Sequence, residues 1–135
     1  MLQCPVTLHL LAPGPSEGFR ALADTLRHEH IAMVYAGSSP GVVPSAEELA
    51  GLLGVDSRAD AGLVGLDVSR FGAGAHPNAH CTQTLEDIAD LHRGEHVLVI
   101  GDVPSREGAV LRRLEIGDDG WRLLPEGVGE PGAVT

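Results

Sequence analysis

His96-Val97-Leu98-Val99-Ile100, followed at once by Gly101-Asp102-Val103-Pro104, is the stretch whose reading decides the fold. The run is short, apolar and not alternated with polar residues, so it reads as a central strand buried on both faces. Gly101 to Pro104 turns the chain off it. A second such run, Ile31 to Ala36, reads the same way. Val6, Leu8 and Leu10 alternate with Thr7 and His9 before Leu11, giving a third strand. His9 is placed by that alternation towards a helix layer, as a satisfied and partly buried histidine.

Helices fall between these runs. Ser16 is an N-cap candidate, and Phe19, Leu22, Ala23 and Leu26 share one face of a helix over residues 17–29. His28 and His30 close it as surface residues. Ser45 and Glu48 form a capping box that predicts a helix through Leu53, stopped by Gly54. Residues 62–68 read as a weak strand, and residues 69–82 as a Gly/Pro-rich loop. Thr84 and Asp87 predict the start of a helix carrying Leu85, Ile88, Ala89 and Leu91. Gly94 ends it, flanked by His92 and His96 as surface histidines. Val110 to Ile116 and Trp121 to Leu124 flank Gly117-Asp118-Asp119-Gly120, a hairpin signal. The expected class is α/β: a mostly parallel sheet, helices on both faces and an antiparallel C-terminal hairpin at one edge. Residues 1–124 read as a single domain and residues 125–135 as a tail.

Composition narrows the function. The 135 residues carry 9 basic and 19 acidic side chains, a formal charge of −10, and every basic residue is Arg. Without a basic cluster, nucleic acid and anionic membrane surfaces are disfavoured as partners. The absence of Lys excludes Schiff-base and P-loop chemistry. Aromatic residues make up 3%, which removes base-stacking platforms. Cys4 and Cys81 form no disulfide framework, and no signal peptide is visible, so a cytoplasmic protein is expected. The all-Arg usage points to a GC-rich, bacterial coding genome.

The loops at the strand ends carry a resemblance. Leu10-Leu11-Ala12-Pro13-Gly14-Pro15-Ser16 is followed by a helix with Ala21, Leu22, Ala23 and Leu26. Val34-Tyr35-Ala36-Gly37-Ser38-Ser39-Pro40 then leads into Ser45-Ala46-Glu47-Glu48-Leu49-Ala50-Gly51-Leu52-Leu53-Gly54, and Val97 to Asp102 closes the series. In order and spacing this resembles the histidine phosphatase (phosphoglycerate mutase-like) family, in its short phosphohistidine-phosphatase-like form. There the corresponding segments read L-x-R-H-G-[EQ]-[ST], S-S-P with T-A-E-x-[IL]-A-x-x-L-G, and V-L-V-V-S-H. The resemblance spans most of residues 4–102.

Its departures matter more than its matches. The family's nucleophilic His falls on Pro13, its neighbouring Arg on Ala12 and its second His on Asp102. Its second phosphate-binding Arg falls within Gly41, Val42 and Val43. Phosphoryl transfer needs Arg forks and imidazole around the phosphate, and a carboxylate there repels it. The resemblance therefore implies a degenerate member without phosphatase or mutase activity. It would bind a small ligand or a protein partner at a cleft formed by Pro13, Gly14, Ser16, Ser38, Ser39 and Asp102. The alternative is an enzyme with a repurposed pocket, in which Asp102 performs acid/base chemistry (isomerisation, cyclisation or dehydration) on a neutral molecule of a biosynthetic pathway. As a turn residue Asp102 also has a plain structural reading, as do Ser16, Ser38 and Ser39. No cofactor is implied. His76, His80 and Cys81 offer zinc-type ligands, but three donors without a fourth in a Pro-interrupted loop fit solvated histidines and a buried cysteine better. A homodimer is the commonest assembly of soluble proteins, and the sequence leaves it open.

Overall fold

A computed structural model describes residues 5–12, 19–68, 79–102, 110–117 and 120–124. Within them the elements are β1 (Val6–Ala12), α1 (Phe19–Arg27), β2 (Ile31–Ala36), α2 (Val43–Leu53), β3 (Ser57–Ala59), a 3-10 turn (Ala61–Leu63), α3 (Ala79–Leu91), β4 (His96–Ile100), β5 (Val110–Gly117) and β6 (Gly120–Leu124). The strands form one sheet in the order β3-β2-β4-β1-β5-β6. β3, β2, β4 and β1 run parallel, while β5 is antiparallel to β1 and to β6. The expected α/β class is therefore present, with the hairpin β5-β6 at one edge.

Two cores explain the uninterrupted apolar runs. On one face Leu11, Leu98 and Ile100 pack with Phe19, Ala23 and Leu26 of α1 and Ala46, Leu49 and Ala50 of α2. On the other, Leu8, Leu10, Val97 and Val99 pack with Cys81, Leu85, Ile88 and Ala89 of α3. Successive strand residues point to opposite faces, so a strand covered on both sides must be apolar at every position.

Local chemistry shifts several element boundaries from the sequence expectation. α2 starts at Val43, with Val42 as a cap that makes no side-chain bond, and Ser45 lies inside its first turn. Pro44 explains the early start, because a missing N–H and a fixed φ suit the first helical turn. The Ser39 carbonyl accepts the Val42 and Val43 N–H groups at 3.0 and 3.3 Å. Gly54 ends α2 as expected, in the left-handed region at φ 75°, while the Val55 N–H returns to the Ala50 carbonyl at 3.0 Å. α1 is described over Phe19–Arg27, with residues 17 and 18 of the expected helix outside the described residues, and residues 28–30 form a turn in which His30 takes a φ of 53°.

The expected strand at 62–68 is absent. Asp60 Oδ1 accepts the Gly62 N–H at 2.9 Å and opens the 3-10 turn, and Gly65 at φ 87° breaks extension. Leu63, Leu66 and Val68 are buried all the same, against the α3 side of the sheet. The third parallel strand is instead the polar Ser57–Ala59, paired with β2. α3 begins at Ala79, not at Thr84, so residues 79–82 are helical. Its buried face opens at Cys81 and continues to Leu85 and Ile88, and Thr84 packs on Gly62.

Gly51 is an exposed helix-interior residue whose added Cβ meets nothing within 4 Å. Gly51→Ala is expected to stabilise the protein by about 0.5–1 kcal/mol. Leu98→Ala, which leaves a hole in a fully buried site, is expected to cost about 2–5 kcal/mol. Urea unfolding of both variants against the parent measures each change.

Candidate functional site

In open α/β sheets, ligands bind beyond the carboxyl ends of the parallel strands. Here Ala12, Ala36 and Ile100 end β1, β2 and β4 side by side. The Gly101 N–H donates to the Leu11 carbonyl at 2.7 Å, stitching the end of β4 to β1. The segment between the 3-10 turn and Val68 crosses these ends. A Cβ on Gly37 would lie 3.3 Å from backbone atoms of Leu63 and Val64, and one on Gly101 would lie 2.8 Å from Val68 Cγ2 and 3.1 Å from the Leu66 carbonyl oxygen.

Asp102 fastens this crossing. Its N–H donates to the Leu66 carbonyl at 2.8 Å, and its Oδ2 accepts the Gly65 N–H at 3.0 Å. Oδ1 is buried and has no hydrogen-bond partner among the described residues. Asp102 thus performs the turn role its type allows while keeping one carboxylate oxygen uncommitted. Ser38 is exposed and Ser39 is half-buried, with its carbonyl capping α2. Both sit just past the end of β2. Pro13, Gly14 and Ser16 lie outside the described residues.

Of the second candidate group, only Cys81 has a described side chain. His76 lies outside the described residues, as does the side chain of His80, although residue 80 is in the first turn of α3. Cys81 is fully buried, its Sγ 3.8 Å from the Val64 carbonyl oxygen.

The other end of the sheet holds a group that sequence reasoning did not assemble. His9 is 1% exposed, and its Nε2 lies 3.0 Å from Nδ1 of His96, with the rings stacked at 5.2 Å. Glu29, in the turn after α1, places Oε1 at 3.9 Å from His9 Nε2 and 3.8 Å from His96 Nδ1. These three donor atoms lie within 4.8 Å of one another and form a set that could hold a metal ion. His9 Nδ1 has no partner among the described residues, so the histidine is only half satisfied. Burial, then the positive charges available to His96 and Arg113, lowers its pKa from 6.5 to about 3. Nearby on the α3 face, His92 is not a free surface residue. Its Nε2 lies 2.7 Å from the Tyr35 hydroxyl and its Nδ1 2.8 Å from Glu95 Oε1. Burial raises the Tyr35 pKa, so the phenol stays protonated and the chain of contacts ties α3 to β2.

No known protein family and no curated protein matches the chain by sequence. Among solved structures, Bacillus stearothermophilus YhfR is similar, with a TM-score of 0.69, 14% identity, and 90% of this chain and 96% of that chain covered. The likeness is one of fold: this α/β arrangement is shared with that structure over most of both chains. None of the described helices is long and apolar enough to cross a membrane.

Two outcomes follow from this geometry. Gly101→Ala is expected to destabilise by about 1–3 kcal/mol, since Val68 and the Leu66 backbone must move, while Gly41→Ala, with open space around it, stays within about 1 kcal/mol of the parent. Denaturant midpoints decide both. The second concerns His9, which stays neutral when folded and takes up a proton near pH 6.5 when unfolded. The unfolded state then binds more protons, so the His9 contribution to stability falls as pH drops from about 6.5 towards 3, at about 1.4 kcal/mol per unit in the steep range. Urea unfolding between neutral pH and the onset of carboxylate titration, with a chelator present, is expected to show this slope in the parent and its loss in His9→Leu.

Proposed function

We propose that this chain is a histidine phosphatase-like protein that lacks the phosphoryl-transfer chemistry of that fold and uses the strand-end cleft for binding. The carrying observation is the carboxylate of Asp102 at the end of β4, beside the stitched ends of β1 and β4. The sequence resemblance sets an imidazole at that position. An anion held there repels a phosphate ester rather than stabilising its developing charge. The residues in place of the other phosphate ligands, Ala12, Pro13 and Gly41 to Val43, bring no positive charge. The ligand class this favours is a neutral small molecule or a polypeptide segment able to donate a hydrogen bond to Asp102 Oδ1.

That same oxygen favours a second reading, in which Asp102 is the acid or base of an enzyme acting on a neutral substrate. A buried carboxylate oxygen without a partner among the described residues is what a substrate proton would meet. In that case Asp102→Asn abolishes turnover, and full activity in the variant excludes the role.

The direct test uses p-nitrophenyl phosphate and inorganic phosphate with the purified chain. No hydrolysis above the buffer rate and no rise in Tm with phosphate are expected. Metal-independent hydrolysis that disappears on substitution within residues 12–16 overturns the proposal.

A further inference from the structure

The cluster at the opposite end of the sheet carries an inference independent of the strand-end cleft. We propose that His9, Glu29 and His96 form a binding site for a divalent transition metal of the zinc type, with His9 Nε2, His96 Nδ1 and a Glu29 carboxylate oxygen as ligands and water in the remaining position.

The geometry is close to what such an ion requires. Zinc holds nitrogen and oxygen ligands at about 2.0–2.2 Å in a tetrahedron, which sets neighbouring donor atoms about 3.3 Å apart. The three donor pairs here stand 3.0, 3.9 and 3.8 Å apart, so small side-chain rotations bring them to one ion. Two imidazoles and one carboxylate are also a donor set that zinc favours, and three protein ligands leave a position for water.

Framework and access both fit. His9 and His96 stand on adjacent strands, where β1 and β4 pair Thr7 with His96, and on the same face as Leu11 and Leu98. Both strands lie in the middle of the sheet, which fixes the backbone from which the two imidazoles extend. His9 is closed off, whereas the His96 and Glu29 side chains are 38% and 34% exposed and give an ion a way in. Nothing among the described residues bonds Nδ1 and so fixes the tautomer that would block Nε2. Arg113, opposite His9 on β5, disfavours a cation there, and Glu29 offsets it. A bound ion would join β1, β4 and the turn between α1 and β2 in a single linkage.

His96 opens β4 whereas Asp102 lies beyond its last residue, Ile100, so occupancy of the metal site and the chemistry of the cleft are separate questions. The test uses the full chain purified without a metal-affinity step and stripped with a chelator. Titration with Zn²⁺ is expected to give one ion per chain and a higher Tm, because the ion binds the folded state in preference. Co²⁺ is expected to bind without a thiolate charge-transfer band, which separates this site from one using Cys81. Glu29→Gln and His96→Ala change partly exposed side chains, and each is expected to weaken Zn²⁺ binding by roughly tenfold or more. The metal-free melting of each variant reports whether it is folded. No zinc binding in the micromolar range, or binding that both folded variants retain at parental affinity, overturns the assignment.

Discussion

The pairing of β1 with β4 is the constraint on which the rest of the structure depends. Leu8, Leu10 and Leu11 of β1 and Val97 to Ile100 of β4 are all fully buried. Each such side chain contributes about 1.5–3 kcal/mol when removed from water, so this pair is the largest apolar investment in the sheet. The helices are placed by it. α1 and α2 cover one face and α3 the other because a pair apolar at every position leaves no face for water. The hairpin is placed by it too, since β5 completes the hydrogen bonding of β1 on its remaining side.

The same pair separates two chemical environments. At the carboxyl end, the backbones of β1 and β4 converge at Gly101, and Asp102 secures the segment that crosses over them. At the amino end, the strands carry histidines towards the turn after α1. The first environment is where ligands meet folds of this kind. The second depends on cross-strand register alone.

Sequence patterns revealed the fold wherever a strand needed to be apolar or a turn needed glycine. β1, β2, β4 and the hairpin are legible on that ground. β3 is not, because an edge strand such as Ser57-Arg58-Ala59 buries little and needs no apolar signature. Residues 62–68 misled for the converse reason: Leu63, Leu66 and Val68 are buried in irregular backbone, which periodicity reads as a strand. The start of α3 was obscured because its first core residue is Cys81, set behind a Gly/Pro-rich stretch. Asp102 could be placed from the end of an apolar run. The meeting of His9, Glu29 and His96 could not, since only the register of Thr7 on His96 brings residues so remote in sequence together. Even-numbered spacing from Leu11 and Leu98 is the sole sequence signal, and it becomes visible only once the two strands are known to be neighbours.

The connectivity of that central pair also bears on how the chain reaches its structure. Residues 7–11 pair with residues 96–100, so the most apolar strand contact closes nearly the whole length of the domain. Closing so long a loop costs entropy before any burial compensates for it, which makes folding slow relative to a protein of local contacts. During synthesis β1 leaves the ribosome long before β4 exists. In that interval Leu8, Leu10 and Leu11 have no strand partner on either edge, because β5 comes later still. The interior that gives the finished protein its order is therefore also its main exposure to misassembly while it is being made.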